Sequence, residues 1–386
     1  MANTTLTHQL VADHAAMILE EEAPFCAGIN KDLEDEFAQV KGYKPGQNVD
    51  IRVPPNGVVH EGAVFAGGGS APDNNETKVG LTLLPQKHIA LTFTMREKAL
   101  EITEFRERIL RPQMRTLASW VEADMLKRAV ALTPNLVGTP GTIPANTAPY
   151  AAARAKLNGY LAPNDRRTVY SSDANTALSQ QAQPLFHSET QVKRAYEEGY
   201  IGRTQGADFY EHQSIPVHTN GTATAFTVSG AAQVGATLNI GGLTAAQTIT
   251  KGTIFTLPTV LAVHPLTAQP YTALQQFVVT ADANSGASTG PATLTISPPI
   301  ITSGPHQTVT AAPADNAAIT LVGSGGTGYV QNIIMHKNAM ALAVVPLEMP
   351  AAAYGASRQS YKNMSCRVIP IYDGTNDISK WRLDLL

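Results

Sequence analysis

Between Gly221 and Val330 the only formally charged residues are Lys251, Asp282 and Asp315. So little charge leaves no room for ion-pair networks, and the stability of this stretch must come from apolar burial and backbone pairing. Its pattern is that of strands. TAFTVS, ATLNI, TIFTL, QQFVVTA, TLTIS and AITLV recur between Gly and Pro turns, the signature of a sandwich or small barrel. Charge and helical patterning return on both sides. The stretch therefore reads as an all-β insertion in a host, with its two ends expected to lie close together in space.

The host is long enough to carry it. At 386 residues, 43% of them apolar, the chain has material for two or three domains. Only 15% of residues are charged and the formal net charge is −3. A dedicated nucleic-acid binder would carry a basic surplus; this balance suits a protein that meets other proteins. Cys26 and Cys366 lie near opposite ends, too few for a disulfide scaffold or a CxxC metal site, and are expected as buried thiols in a reducing cytoplasm. The N-terminus lacks a basic region followed by an unbroken apolar stretch, so no secretory signal is expected. No run of about 18 apolar residues predicts a membrane span.

The first forty residues are acidic, with Asp13, Glu20, Glu21, Glu22, Asp32, Glu34, Asp35 and Glu36 against Lys31 alone. Leu10, Val11, His14, Met17 and Ile18 recur at near-helical spacing, which predicts a short amphipathic helix. From Asn48 to Thr94 the period is two: Val49, Ile51 and Val53, then Val79, Leu81 and Leu83, then Ile89, Leu91 and Phe93. These arms predict a long hairpin whose loop, Gly62 to Thr77, contains Gly67-Gly68-Gly69 and Asp73-Asn74-Asn75. A two-stranded ribbon is marginal alone in water, so it is expected to lie on its own domain or on a neighbouring subunit.

Thr103 to Leu132 is the strongest helical stretch. Thr103 reads as its N-cap, Pro112 as a kink or the first turn of a second helix, and Met114, Leu117, Val121 and Met125 as a core stripe. Residues 135–220 read as mixed α/β, with helices around 151–161, 175–183 and 189–198 and strands around 168–171 and 209–217. Ser172 and Asp173 are the expected caps between strand and helix. Near the end, CRVIPIY and WRLDLL predict a strand pair around the turn Asp373-Gly374-Thr375-Asn376.

Enzyme signatures are weak. Gly323, Gly325 and Gly328 spell GxGxxG after AITLV, and Glu348 follows at roughly the distance of a ribose-binding acid. A dinucleotide site also needs parallel strands covered by helices, whereas the upstream segment is a chain of β-turns. The run reads instead as a hinge between insert and host, with Gly221, Gly325 and Gly326 as its candidates. His212 and His218 lack helical i, i+4 spacing, no HExxH occurs, and the adjacent carboxylates of Glu20-Glu21-Glu22 point apart on a helix. No GxSxG elbow or Walker loop is present. No catalytic residue, metal or cofactor is expected.

Five stretches carry a resemblance: FRERILRPQMRTLASWVEADML (105–126), GYIGRTQGADFYEHQSIPVHTNGT (199–222), TITKGTIFTLPTVLAVHPLTAQPYTALQQFVVT (248–280), IMHKNAMALAVVPLEMP (334–350) and the tail CRVIPIYDGTNDISKWRLDLL. Their order over nearly the whole chain resembles that of the major capsid (coat) proteins of short-tailed temperate bacteriophages. The resemblance implies an α+β tailed-bacteriophage major-capsid fold with an inserted telokin-like β-barrel domain. Residues 1–43 would be the N-terminal arm and 44–97 the E-loop hairpin. The P-domain, with spine helix and C-terminal strands, would take 98–134 and 364–386, the A-domain 135–220 and 331–363, and the inserted barrel 221–330.

The implied function is structural rather than enzymatic. Copies would form the pentamers and hexamers of an icosahedral head, with a scaffolding protein, a portal protein and packaged double-stranded DNA, the last held weakly and non-specifically. Assembly would take place in the host cytoplasm, without a membrane, and the product would be the virion. The short N-terminus favours a separate scaffolding protein over a fused one. Asp13, Glu20, Glu21 and Glu22 are then candidates for attracting a basic scaffold helix, in a contact weakened by salt. Gly67, Gly68, Gly69 and Asp73 are candidates for the intersubunit E-loop contact. Two other readings stay open: an encapsulin-like nanocompartment shell, which would lack the insert, and a β-rich tail or surface protein, which leaves the helix and hairpin unexplained.

Overall fold

The computed structural model describes residues 8–31, 48–53, 77–94, 105–182, 201–285, 290–350, 355–376 and 378–386. Contacts divide the chain into two units, one of residues 1–54, 76–124 and 337–386, the other of 55–75 and 125–336. Of the second stretch expected for the A-domain, 331–336 thus lies in the second unit and the remainder in the first.

In the first unit α1 (His8–Glu21) is a helix, as its spacing predicts, but the face it buries is Val11, Ala12, Ala15, Ala16, Ile18 and Leu19, with Leu10, His14 and Met17 of the expected stripe only half-buried at its margin. Three alanines on that face keep it flat, and α1 lies on β18 (Ser357–Tyr361) and β19 (Met364–Asp373). These strands belong to an antiparallel sheet ordered β18-β19-β20-β3, where β3 is Lys87–Thr94 and β20 is Ile378–Leu385. Trp381 of β20 is 1% exposed and meets Phe105 and His8 edge-on, each at 5.3 Å between ring centres. The expected closing turn is present: Asp373 pairs with Ile378 and accepts the Thr375 N–H at 3.1 Å.

The hairpin is shorter than its alternation predicts. β1 (Asn48–Val53) and β2 (Thr77–Thr82) pair from Asn48 with Thr82 to Val53 with Thr77. The third run, Ile89 to Phe93, instead pairs with β20, Leu91 facing Trp381 in the register. Period two reports a strand but not its partner. Leu91 is buried, whereas Val53 and Val79 of the ribbon are exposed.

The long helix starts with a π-helical turn, Arg106–Leu110, in which the Arg111 N–H bonds to the Arg106 carbonyl. It continues as α3 (Arg111–Leu132), with Pro112 in its first turn. Proline has no N–H and its ring collides with the carbonyl four residues back, so a widened turn at this point accommodates it. The buried stripe is Leu110, Met114, Leu117 and Val121, continuing to Leu126 rather than Met125. Thr103 lies outside the described residues.

The second unit, to which α3 contributes from Met125 onward, holds α4 (Ala148–Gly159), β4 (Arg166–Tyr170), α5 (Ser172–Ala182), β5 (Arg203–Thr204) and β6 (Ala207–Glu211). With β17 (Ile333–His336) the strands form a sheet ordered β17-β4-β6-β5, in which β4 and β6 run parallel. A parallel pair needs a crossover, and α5 lies in it. Ser171, not Ser172 or Asp173, caps α5: its Oγ accepts the Ala174 N–H at 3.4 Å. The cap precedes the first helical residue by one position, which frees Ser172 to donate to Glu211. Tyr150 and Tyr170 both pack edge-on against Phe209 at the centre of this core. The helix expected at 189–198 lies outside the described residues.

The charge-poor stretch folds mainly as an antiparallel sheet ordered β15-β11-β12-β14-β9-β8. These are β8 (Thr227–Val228), β9 (Gly235–Leu243), β11 (Ile254–Val263), β12 (Pro270–Val279), β14 (Gly290–Ile300) and β15 (Thr320–Leu321); β10 (Thr248–Ile249) and β13 (Ala283–Asn284) pair apart from them. The two edges meet. The Val228 N–H donates to the Ala317 carbonyl at 3.0 Å and the Ile319 N–H to the Phe226 carbonyl at 3.1 Å, joining β8 to the residues just before β15. Leu238, Ile240, Phe255, Leu257, Phe277 and Leu294 are fully buried inside. Each such side chain contributes about 1.5–3 kcal/mol relative to exposure.

Candidate functional site

Two strands bracket the β-rich stretch: β7 (Val217–Thr219) pairs with β16 (Gly328–Val330), Thr219 opposite Gly328 and Val217 opposite Val330. Inside this pair the three glycines expected as a hinge come together. The Gly326 N–H reaches the Gly221 carbonyl at 2.9 Å and the Asn220 carbonyl at 3.1 Å. The Asn220 side chain, 4% exposed, donates from Nδ2 to the carbonyls of Val322 and Ser324. A Cβ on Gly221 would lie 2.0 Å from the Thr248 carbonyl oxygen, and one on Gly325 would lie 2.9 Å from that of Ala223. The geometry is a close backbone crossing.

The same packing explains the GxGxxG letters. The run leads from β15 to β16, strand to strand, where a pyrophosphate site needs a helix N-terminus. A Cβ on Gly323 would lie 2.6 Å from the Tyr329 ring, and the Tyr329 Oη accepts the Ser324 N–H at 2.7 Å.

The acidic end of α1 is paired within its own unit. Glu20 meets Lys362 at 3.2 Å, Glu21 meets Arg111 at 3.6 Å, and Glu22 meets Arg111 at 2.9 Å and Arg115 at 3.6 Å. The Glu20 and Glu22 side chains are only 11% and 19% exposed. Carboxylates at a helix C-terminus oppose its dipole, and these cations offset that cost. In return, hydrogen bonds to Glu22 and Glu107 push the Arg111 guanidinium above its usual range, and Glu20 does the same for the Lys362 ammonium. Of the four scaffold candidates Asp13 alone stands outside this network. Gly67, Gly68, Gly69 and Asp73 lie outside the described residues.

Sequence reasoning missed two polar anchors. Glu122 is 3% exposed and its Oε1 accepts the Phe25 N–H at 2.7 Å, satisfying the start of α2 (Pro24–Ala27). The signal was a carboxylate lying on the apolar stripe of α3. Asp384, fully buried, holds Arg367 and Arg382. Burial also lowers the pKa values of His14 and His218, which favours neutral imidazoles. Among the described residues no group of three or more His, Cys, Asp or Glu side chains could hold a metal ion, and no helix is long and apolar enough to cross a membrane.

No curated protein matches the chain. Among solved structures it is similar to one titled Mycobacterium phage Che8, with 14% identity over 81% of this chain and 90% of that one and a TM-score of 0.39. The capsid structure of the cyanophage P-SCSP1u shares 12% identity over 72% and 84%, with a TM-score of 0.30. The asymmetric unit of the bacteriophage PhiM1 mature capsid shares 10% over 71% and 81%, with a TM-score of 0.28. These superpositions are loose. The family model described as P22 coat protein, gene protein 5, matches residues 85–386, from just before β3 to the last residue of the chain. The chain therefore belongs to the P22 coat protein family and is a phage major capsid protein.

Proposed function

We propose that this chain builds the icosahedral head of a short-tailed temperate phage, its copies forming pentamers and hexamers around packaged double-stranded DNA. The family match over residues 85–386 carries this reading. Assembly takes place in the host cytoplasm with a separate scaffolding protein and a portal ring. The chain adopts the tailed-phage major-capsid fold, with the arm at 1–43, the E-loop at 44–97, the P-domain at 98–134 and 364–386, and the A-domain at 135–220 and 331–363. Residues 221–330 are a telokin-like barrel inserted in the A-domain; the meeting of β8 with the residues before β15, and the β7–β16 pair, support this assignment.

Under this proposal Gly221, Gly325 and Gly326 act as a clasp that sets how the barrel leaves its host. The E-loop tip, with Gly67 to Gly69 and Asp73, lies across a neighbouring copy. A basic scaffold helix approaching α1 meets Asp13 directly and competes with Arg111 and Lys362 for Glu20, Glu21 and Glu22. Electron microscopy of the purified chain, alone and with its scaffolding protein, tests the reading. Icosahedral particles are the expected result; protein that forms none under either condition refutes it.

A further inference from the structure

In the first unit, three segments surround a surface cavity of about 480 Å³: the loop after α2, the 3-10 helix Lys337–Ala339, and the β18–β19 turn. The backbone holds them together. The Asn30 N–H donates to the Lys337 carbonyl at 3.2 Å, Asn30 forms a parallel bridge with Ala341, and Asn363 Nδ2 donates to the Lys31 carbonyl at 3.2 Å. Each segment brings one lysine to the lining, Lys31, Lys337 and Lys362, and Glu20 is the single carboxylate there.

The turn residues carry a second signal. Lys362 and Asn363 have φ of +46° and +62°, the left-handed pair of a two-residue hairpin turn, where Asn or Gly is favoured at the first position. A lysine is disfavoured in that conformation. Strained backbone of this kind collects at functional sites, and here it holds a cation at the rim of the cavity. Burial and the Lys362 charge lower the Lys31 pKa, against the pull of Glu20.

We propose that this cavity is an anion site that takes phosphodiester groups of the nucleic acid enclosed by the shell, an inference that rests on the shell reading above. The donor set suits an anion. No arginine lines the cavity, so the planar fork that holds a carboxylate or phosphate in one fixed orientation is missing, while the lysine ammonium groups donate to phosphate oxygens from many directions as point charges. The chain as a whole is negative, so attraction to DNA depends on a local concentration of positive charge in a concave site. Contact through phosphate alone carries no base sequence.

The test uses the full-length unassembled chain and a short labelled DNA duplex, with binding followed by fluorescence anisotropy between about 50 and 200 mM salt. The triple variant Lys31→Gln, Lys337→Gln, Lys362→Gln should bind at least about tenfold more weakly, with a slope of log affinity against log salt shallower by about two to three. Lys337→Glu alone, at an exposed position that leaves Glu20 and Lys362 paired, should weaken binding in the same direction. Unchanged affinity and slope in both variants overturn the site. A site that takes inorganic phosphate, read by its protection of the three lysines from amine-reactive reagent, but not duplex DNA overturns the nucleic-acid assignment. Electron microscopy of the same proteins, alone and with the scaffolding protein, keeps the two readings apart: shells from the triple variant with weakened DNA binding support both. Wild-type protein that forms no shell under either condition refutes the shell reading and leaves the DNA measurement standing.

Discussion

Arg367 Nη2 and Asp384 Oδ2 lie 2.6 Å apart across β19 and β20, and the carboxylate side chain is completely buried. Its other oxygen receives Arg382 Nε at 2.6 Å, and Arg367 also donates to the Glu348 carbonyl. A buried carboxylate deprived of its buried cation keeps only the partly exposed Arg382. Arg367→Ala should therefore destabilise the chain by about 3–5 kcal/mol. Arg382→Ala, removing a partner that is 39% exposed, should cost about 1 kcal/mol or less. Urea unfolding of the two variants side by side checks the ranking; equal losses would show that Asp384 depends no more on Arg367 than on Arg382.

Gly221→Ala should be among the most damaging small substitutions in the chain. The added methyl would lie 2.0 Å from the Thr248 carbonyl oxygen, backbone that cannot move aside as a flexible side chain can. Gly304→Ala is the matched control, at φ +92° with nothing within 4 Å of the new atom. It pays only the conformational cost, about 1–2 kcal/mol. Thermal unfolding should place Gly221→Ala clearly below that control.

Lys156 gives a pH signature. Its ammonium donates to the Leu136 carbonyl and to Gln276 Oε1, and burial lowers its pKa from 10.5 to about 8. Below about 8 both folded and unfolded chains hold this proton; above 10.5 neither does. Between those values the unfolded chain binds it and the folded chain does not, so this group makes stability rise with pH across that window. Tyr150, pushed up to about 12 by burial, acts in the opposite sense above pH 10. The difference between wild type and Lys156→Met isolates the lysine: the variant should lack the rise in denaturant midpoint between pH 8 and 10.5.

Cys26 and Cys366 are both fully buried, with thiols pushed up to about 12, chiefly by burial. The thiolate is the reactive species. At pH 8 neither should react with a thiol reagent such as dithionitrobenzoate in the folded chain, and both should react at once in guanidinium. Rapid labelling of either in the folded chain would contradict the packing of α2 or β19.

Much of this chain is legible locally. The β-strands of 221–330, the amphipathic α1, the stripe of α3 and the turn at Asp373 all follow from period two, period 3.6 or turn chemistry within a few residues. The cap of α5 is Ser171 and not the expected Ser172 or Asp173, because such patterns blur at element ends. The acidity of Glu20 to Glu22 was visible as well. Its use was not, because Arg111 lies some ninety residues further on and Lys362 about three hundred and forty.

The charge-poor stretch shows both sides of that division. Sequence alone determined that Gly221 to Val330 must be strands held by apolar burial, since it offers almost no charge with which to do otherwise. Only the tertiary structure decided that Leu91 pairs against Trp381 and not in the hairpin, that Gly221 meets Gly326 across more than a hundred residues, and that Lys31, Lys337 and Lys362 share one cavity. Periodicity encodes the local backbone and which face a side chain takes. Contacts between distant residues are selected by chain closure and by packing of the whole core, and no short window of sequence contains that information.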